Sequence, residues 1–114
     1  MSLKIYHNPR CSTSRKVLAA IEEAGVTPEV IQYLKTPPSV EELKEILEIG
    51  GLSPDDILRK KDKVFKELYA GKTLSDEEWL EAIHAHPSIL ERPLCVSENH
   101  AAVCRPIERY REFV

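Results

Sequence analysis

A short strand, a turn, an amphipathic helix and a second strand follow one another at the start of this chain, and this order constrains the fold most. Leu3–Tyr6 has strand character, and Asn8-Pro9 is a turn signal directly after it. Apolar residues then recur at helical spacing over 12–24, and Gly25 stands where a C-cap is expected. Val30–Tyr33 predicts the second strand. A strand–helix–strand unit of this length predicts two parallel strands joined by a right-handed crossover.

The rest of the chain predicts a helical middle followed by two further strands. Helix-start signals, each a serine with an acidic residue three positions on, occur at Ser39, Ser53 and Ser75. Short strands are expected at 94–96 and 101–104, and Pro106 opens a last helix. The resulting order is βαβ, a helical insertion, then ββα. We therefore expect one α/β domain over 1–114, a thioredoxin-like sheet with a helical insertion before the third strand.

Cys11 lies between the first strand and the first helix, where backbone chemistry favours a thiolate. In open α/β sheets, ligands collect at the carboxyl ends of the strands and at the helix N-termini facing them. The unpaired backbone N–H groups at Ser12, Thr13 and Ser14 favour negative charge there. A free cysteine has a pKa of about 8.5, which such a position and nearby cations lower. The sequence predicts a nucleophilic thiol, the alternative being a structural helix-start cysteine.

Composition argues against several other classes of function. The formal net charge of −3 lacks the basic surplus typical of a nucleic-acid binder. No apolar run has the length of a membrane span or of a signal peptide, so no membrane association is expected. The three cysteines fit no disulfide framework, which predicts a reducing, bacterial-type cytoplasm. The cysteines and histidines form no zinc pattern, and we expect no bound metal.

An ordered set of motifs resembles the glutaredoxin-coupled arsenate reductase family. The segment Tyr6-His7-Asn8-Pro9-x-Cys11-x-Thr13-Ser14-Arg15 is similar to the active-site segment of that family. The resemblance continues, in order and at near-family spacing, through Tyr33-Leu34-Lys35-Thr36-Pro37-Pro38, Leu58-Arg59-Lys60, His86-Pro87, Arg92-Pro93 and Cys104-Arg105-Pro106. It therefore covers nearly the whole chain.

The resemblance implies specific roles for the residues of these motifs. Cys11 is implied as the catalytic nucleophile, His7 as a residue that helps to lower its pKa, and Pro93 as a cis-proline. The implied oxyanion-binding residues are Arg59, Arg92 and Arg105. Arginine suits this role because its planar fork binds tetrahedral oxyanions through paired, charge-assisted hydrogen bonds. The alternatives are solvated surface positions for the arginines and a structural hydrogen bond for His7.

The activity implied by the resemblance is reduction of arsenate to arsenite through a Cys11 thiolate adduct. Position 14 is a serine, so the chain has no Cys-x-x-Cys pair there. Cys95 and Cys104 fall in apolar strand runs, where structural roles are expected, with Cys104 as a resolving thiol the alternative. An external thiol is then required, and we expect glutathione as co-substrate, glutaredoxin as partner and no bound cofactor.

Two other functions stay open at this point. The chain also resembles the Spx class of redox-responsive regulators, which bind RNA polymerase. That class typically carries a Cys-x-x-Cys switch and lacks the arginine of the Cys-Arg-Pro motif, so Ser14 and Arg105 favour the enzyme. The second alternative is a reductase-like protein that acts on another oxyanion or on a disulfide.

Overall fold

Within residues 2–114, four short strands form one mixed sheet in the order β2-β1-β3-β4. The computed structural model describes residues 2–114. The strands are β1 (Lys4–Tyr6), β2 (Glu29–Ile31), β3 (Leu94–Val96) and β4 (Ala101–Val103). β1 and β2 are parallel, whereas β1 with β3 and β3 with β4 are antiparallel. The predicted thioredoxin-like α/β fold is confirmed.

The helices begin where the sequence offers caps. They are α1 (Ser12–Glu23), α2 (Val40–Gly50), α3 (Lys63–Leu68) and α4 (Asp76–Ala85). In the described part of the chain, 3₁₀ helices span Pro54–Ile57, Pro87–Ile89 and Ile107–Phe113. Ser39 and Ser75 each accept a hydrogen bond from the backbone N–H three residues on, which satisfies a donor that the helix itself leaves free.

The alternation of side chains along the strands divides the core into two clusters, one on each face of the sheet. Ile5, Cys95 and Ala102 pack on the face that α1 covers, together with Val17 and Ile21 from that helix. The opposite face packs against α2 and α4. Its buried strand residues are Tyr6, Leu94, Val96 and Ala101.

The structure differs from the sequence-based expectation in three places. The second strand ends at Ile31, so Tyr33 lies in the turn beyond it. Helix α3 was not predicted, because it has six residues, only Phe65 of which is buried, and so carries little periodicity. The last helix, which the sequence predicts from Pro106 through Tyr110, is a 3₁₀ helix that continues to Phe113. Within 2–114, no helix combines the length and the apolar character needed to cross a bilayer.

The packing of α2 against β4 predicts that Gly50→Ala destabilises the protein. A Cβ at position 50 would lie 2.7 Å from the backbone oxygen of Ala101, which is too close for an ordinary contact. We expect a loss of about 1–3 kcal/mol in the free energy of unfolding, as for other overpacked sites. Chemical denaturation measures it. Glu48→Ala, on an exposed position of the same helix, is the control, and unchanged stability in Gly50→Ala would contradict the prediction.

Candidate active site around Cys11

Cys11 occupies the N-cap position of α1, at the end of the loop that leaves β1. Its backbone is extended, with φ −92° and ψ 121°, and its N–H donates to the carbonyl oxygen of Asn8 at 3.0 Å. The side chain of Asn8 also accepts from the N–H of Arg10 at 3.0 Å, which stabilises the turn. The thiol is therefore held on a fixed backbone at the helix start and is partly exposed.

The electrostatic surroundings of Cys11 favour the thiolate. Burial by itself raises the pKa of the thiol. The neighbouring Arg92 guanidinium and the backbone N–H groups of Ser14 and Thr13 outweigh burial, so the pKa of Cys11 lies below its usual value. Arg105 adds a second cation, since its Nη2 lies 3.6 Å from Sγ.

The register of the sheet brings these groups to one edge. Tyr6, the last residue of β1, pairs with Leu94, and Leu94 pairs with Val103. The loop after β1, the segment before β3 and the segment after β4 therefore meet, which places Arg92 and Arg105 beside Cys11. The Arg92–Pro93 and Arg105–Pro106 peptide bonds are both cis.

Arg59 reaches the same region from the helical insertion. An isolated antiparallel bridge joins Leu58 to Leu90, and the N–H of Arg59 donates to the Ile89 oxygen at 2.7 Å. The guanidinium of Arg59 donates to the carboxylate of Glu91 at 3.1 Å. Of the three arginines, Arg105 hydrogen-bonds to the thiol, Arg92 lies near it, and Arg59 is connected to both through Glu91.

His7 lies on the side of the loop that faces the core. It is buried, and its Nδ1 lies 2.6 Å from the hydroxyl oxygen of Ser14, which also accepts from the N–H of Asn8 at 3.1 Å. Burial, and then the nearby Arg15, lowers the pKa of His7, so the imidazole is neutral at pH 7. The structure thus gives His7 a hydrogen bond that anchors the helix start. A role for it in lowering the pKa of Cys11 stays a prediction.

Tyr33 and Glu91 are two site residues that sequence reasoning missed. Tyr33 is fully buried, and its surroundings include Arg92, Cys11 and Arg59. Neither its hydroxyl nor Nε of Arg92 has a hydrogen-bond partner among the described residues. Burial raises the pKa of Tyr33, so the hydroxyl keeps its proton. Tyr33 belongs to the Tyr-Leu-Lys-Thr-Pro-Pro motif, which is a signal for a site residue. The apolar pattern around it, however, predicts a place in the second strand equally well.

The other two cysteines lie inside the core. Cys95 and Cys104 are free thiols, fully buried in the cluster beneath α1. A hydrogen bond with Cys104, together with burial, raises the pKa of Cys95. Both sulfurs are enclosed in the core, and the Cys95 thiol keeps its proton. Within 2–114, no group of three or more His, Cys, Asp or Glu side chains is arranged to hold a metal ion.

The sequence profile of the ArsC family matches residues 6–113. This chain belongs to the ArsC family. An arsenate reductase from Neisseria meningitidis serogroup A is 45% identical over 108 residues, which cover 93% of this chain and 92% of that protein. The uncharacterized protein YfgD of Escherichia coli is 42% identical, with 98% and 96% covered.

Solved structures place the fold in the same family. An arsenate reductase from Vibrio cholerae superposes on this chain with a TM-score of 0.93 at 44% identity, covering 100% of this chain and 98% of that one. The resemblance of the sequence motifs to arsenate reductases of the ArsC family is confirmed.

The proximity of Arg92 to the thiol predicts how the reactivity of Cys11 depends on pH. Iodoacetamide alkylation of Cys11 should show a midpoint below that of a free thiol, because the thiolate is the reactive form. Arg92→Gln removes a cation, so the midpoint should rise by about one pH unit. Arg111→Gln, at an exposed position, is the control. An ordinary midpoint in the unaltered protein would contradict the thiolate assignment.

Proposed function

We propose that this protein is a thiol-dependent arsenate reductase that uses glutathione and glutaredoxin. The observation that carries the proposal is the Cys11 thiol at the N-terminus of α1, with Arg92 and Arg105 beside its sulfur. This arrangement supplies a nucleophile and the cations that hold an oxyanion against it. Membership of the ArsC family and the named arsenate reductases among its relatives support the same activity.

The first step joins Cys11 to arsenic. The thiolate attacks arsenic(V), an S–As bond forms, and an As–O bond breaks so that the oxygen leaves as water after protonation. Arg92 and Arg105 offset the negative charge on the remaining oxygens during attack. Arsenic is still in the +5 state at this point, because one ligand has replaced another.

Glutathione and glutaredoxin supply the two electrons. Glutathione displaces a second oxygen as water and forms a second S–As bond. The glutaredoxin thiolate then attacks the glutathione sulfur, and the electron pair of that S–As bond passes to arsenic, which becomes arsenic(III). A glutathione–glutaredoxin disulfide results, and water releases arsenite from Cys11. Phosphate, which has the same shape and charge, is expected to bind without being reduced.

A coupled assay tests the function. NADPH consumption is followed with arsenate, glutathione, glutathione reductase and glutaredoxin. Cys11→Ser should reduce turnover to background, because a serine hydroxyl is a much weaker nucleophile than a thiolate at neutral pH. Cys95→Ala, which removes a thiol from the core, should keep turnover. Activity in Cys11→Ser would contradict the mechanism. No turnover in the unaltered protein, with Cys11 still reactive toward glutathione, would point to another oxyanion or to a disulfide substrate.

The enclosed position of Cys104 predicts which thiol resolves the oxidised enzyme. After treatment with oxidant and glutathione, mass spectrometry should find glutathione on Cys11, because Cys104 is fully buried against Cys95. Cys104→Ala should give the same modified peptide. An intramolecular Cys11–Cys104 disulfide would contradict the need for an external thiol.

A further inference from the structure

One carboxylate oxygen connects the arginines of the site. Oε1 of Glu91 lies 3.1 Å from Nη1 of Arg59 and 3.4 Å from Nε of Arg105. It also accepts from the backbone N–H of Arg92 at 3.2 Å. The Glu91 side chain is 23% exposed, so its hydrogen bonds with Arg59 and Arg92 and its ion pair with Arg105 are partly shielded from water.

The backbone on both sides of this contact is fixed. The N–H of Glu91 donates to the Ile57 oxygen at 2.8 Å, and the N–H of Arg59 donates to the Ile89 oxygen at 2.7 Å. These two bonds join the strand-like segments around Leu58 and Leu90. The backbone of Glu91 is therefore held in place, so its carboxylate restrains the guanidinium groups that it contacts.

The contacts leave particular arginine N–H groups free for a ligand. Nε of Arg105 donates to the Arg92 oxygen at 2.8 Å and lies beside Glu91, so its Nη2 is turned toward the Cys11 sulfur. Arg59 uses Nη1 on Glu91, which leaves the rest of its guanidinium free of that contact. An arginine held in this way loses less rotamer freedom when it binds, since its planar fork is already oriented.

We propose that Glu91 is a positioning residue that orients Arg59 and Arg105 around Cys11 before an oxyanion arrives. The inference rests on the proposed function, because it takes the arginines to be oxyanion ligands. A carboxylate beside an anion site also repels the anion. Since Glu91 is paired with two guanidinium groups, its negative charge is largely offset. Its net influence on anion binding is therefore decided by how it orients the arginines.

The test measures how well inorganic phosphate protects Cys11 from iodoacetamide. In Glu91→Ala we expect the half-protecting phosphate concentration to rise about tenfold, a cost typical of misplaced binding groups. Glu91→Gln keeps an acceptor oxygen at the same position, so its value should stay within about threefold of the unaltered protein. Glu112→Ala should leave protection unchanged, because Glu112 pairs with Arg109 and His100 away from the site.

A double-mutant cycle separates positioning from lost stability. If Glu91 acts through Arg59, the Glu91→Ala effect should be smaller in an Arg59→Ala background than alone. Arsenate in place of phosphate should give the same order of variants. If Glu91→Ala does not fold, Glu91→Asp, which withdraws the carboxylate by one methylene, should weaken protection in the same direction.

The outcomes distinguish this inference from the proposed function. Absence of protection in the unaltered protein would overturn the oxyanion site and, with it, any role of Glu91 there. Protection in the unaltered protein with equal or tighter phosphate binding in Glu91→Ala would overturn only the positioning role. Equal losses in Glu91→Gln and Glu91→Ala would overturn it as well, because the retained acceptor would then have restored nothing.

Discussion

The register between β1, β3 and β4 is the constraint on which the site depends. Tyr6, Leu94 and Val103 lie side by side across the sheet, so the residues just beyond these strand ends share one edge. A slip of one residue in β3 would exchange the two faces of that strand and place Cys95 where Leu94 packs. Both core clusters would lose their fit. The packing that fixes the sheet therefore also fixes where Arg92 stands relative to Cys11.

The site carries two free-energy costs that other interactions must offset: a thiolate that is partly buried and buried donors without partners. Burial disfavours a thiolate at Cys11, and the neighbouring cations and helix N–H groups outweigh it. The hydroxyl of Tyr33 and Nε of Arg92 are buried without partners among the described residues, and each such donor costs about 1–3 kcal/mol. A folded protein normally satisfies its buried donors. The two unpaired donors are therefore a cost at the site that the rest of the fold offsets.

The sequence predicted the frame of the molecule better than the assembly of the site. The opening βαβ unit and the N-cap position of Cys11 are local features, which periodicity and turn residues indicate directly. The convergence of Arg59, Arg92 and Arg105 is not local, since it depends on strand register and on the single bridge between Leu58 and Leu90. The family resemblance alone implied it. Glu91 gave no signal, because a glutamate before an arginine is typical of a solvated surface.

Ser14 shows how one residue serves both the fold and the thiolate. Its hydroxyl is enclosed at 0% exposure between the ring of His7 and the N–H of Asn8, while its own N–H is directed to the Cys11 sulfur. A cysteine at this position would replace the short oxygen contact with a weaker and longer sulfur one in a fully buried site. The same residue thus anchors the helix start and stabilises the thiolate through its backbone. Under the proposed function, the partly exposed side of Cys11 is where a small thiol such as glutathione would approach.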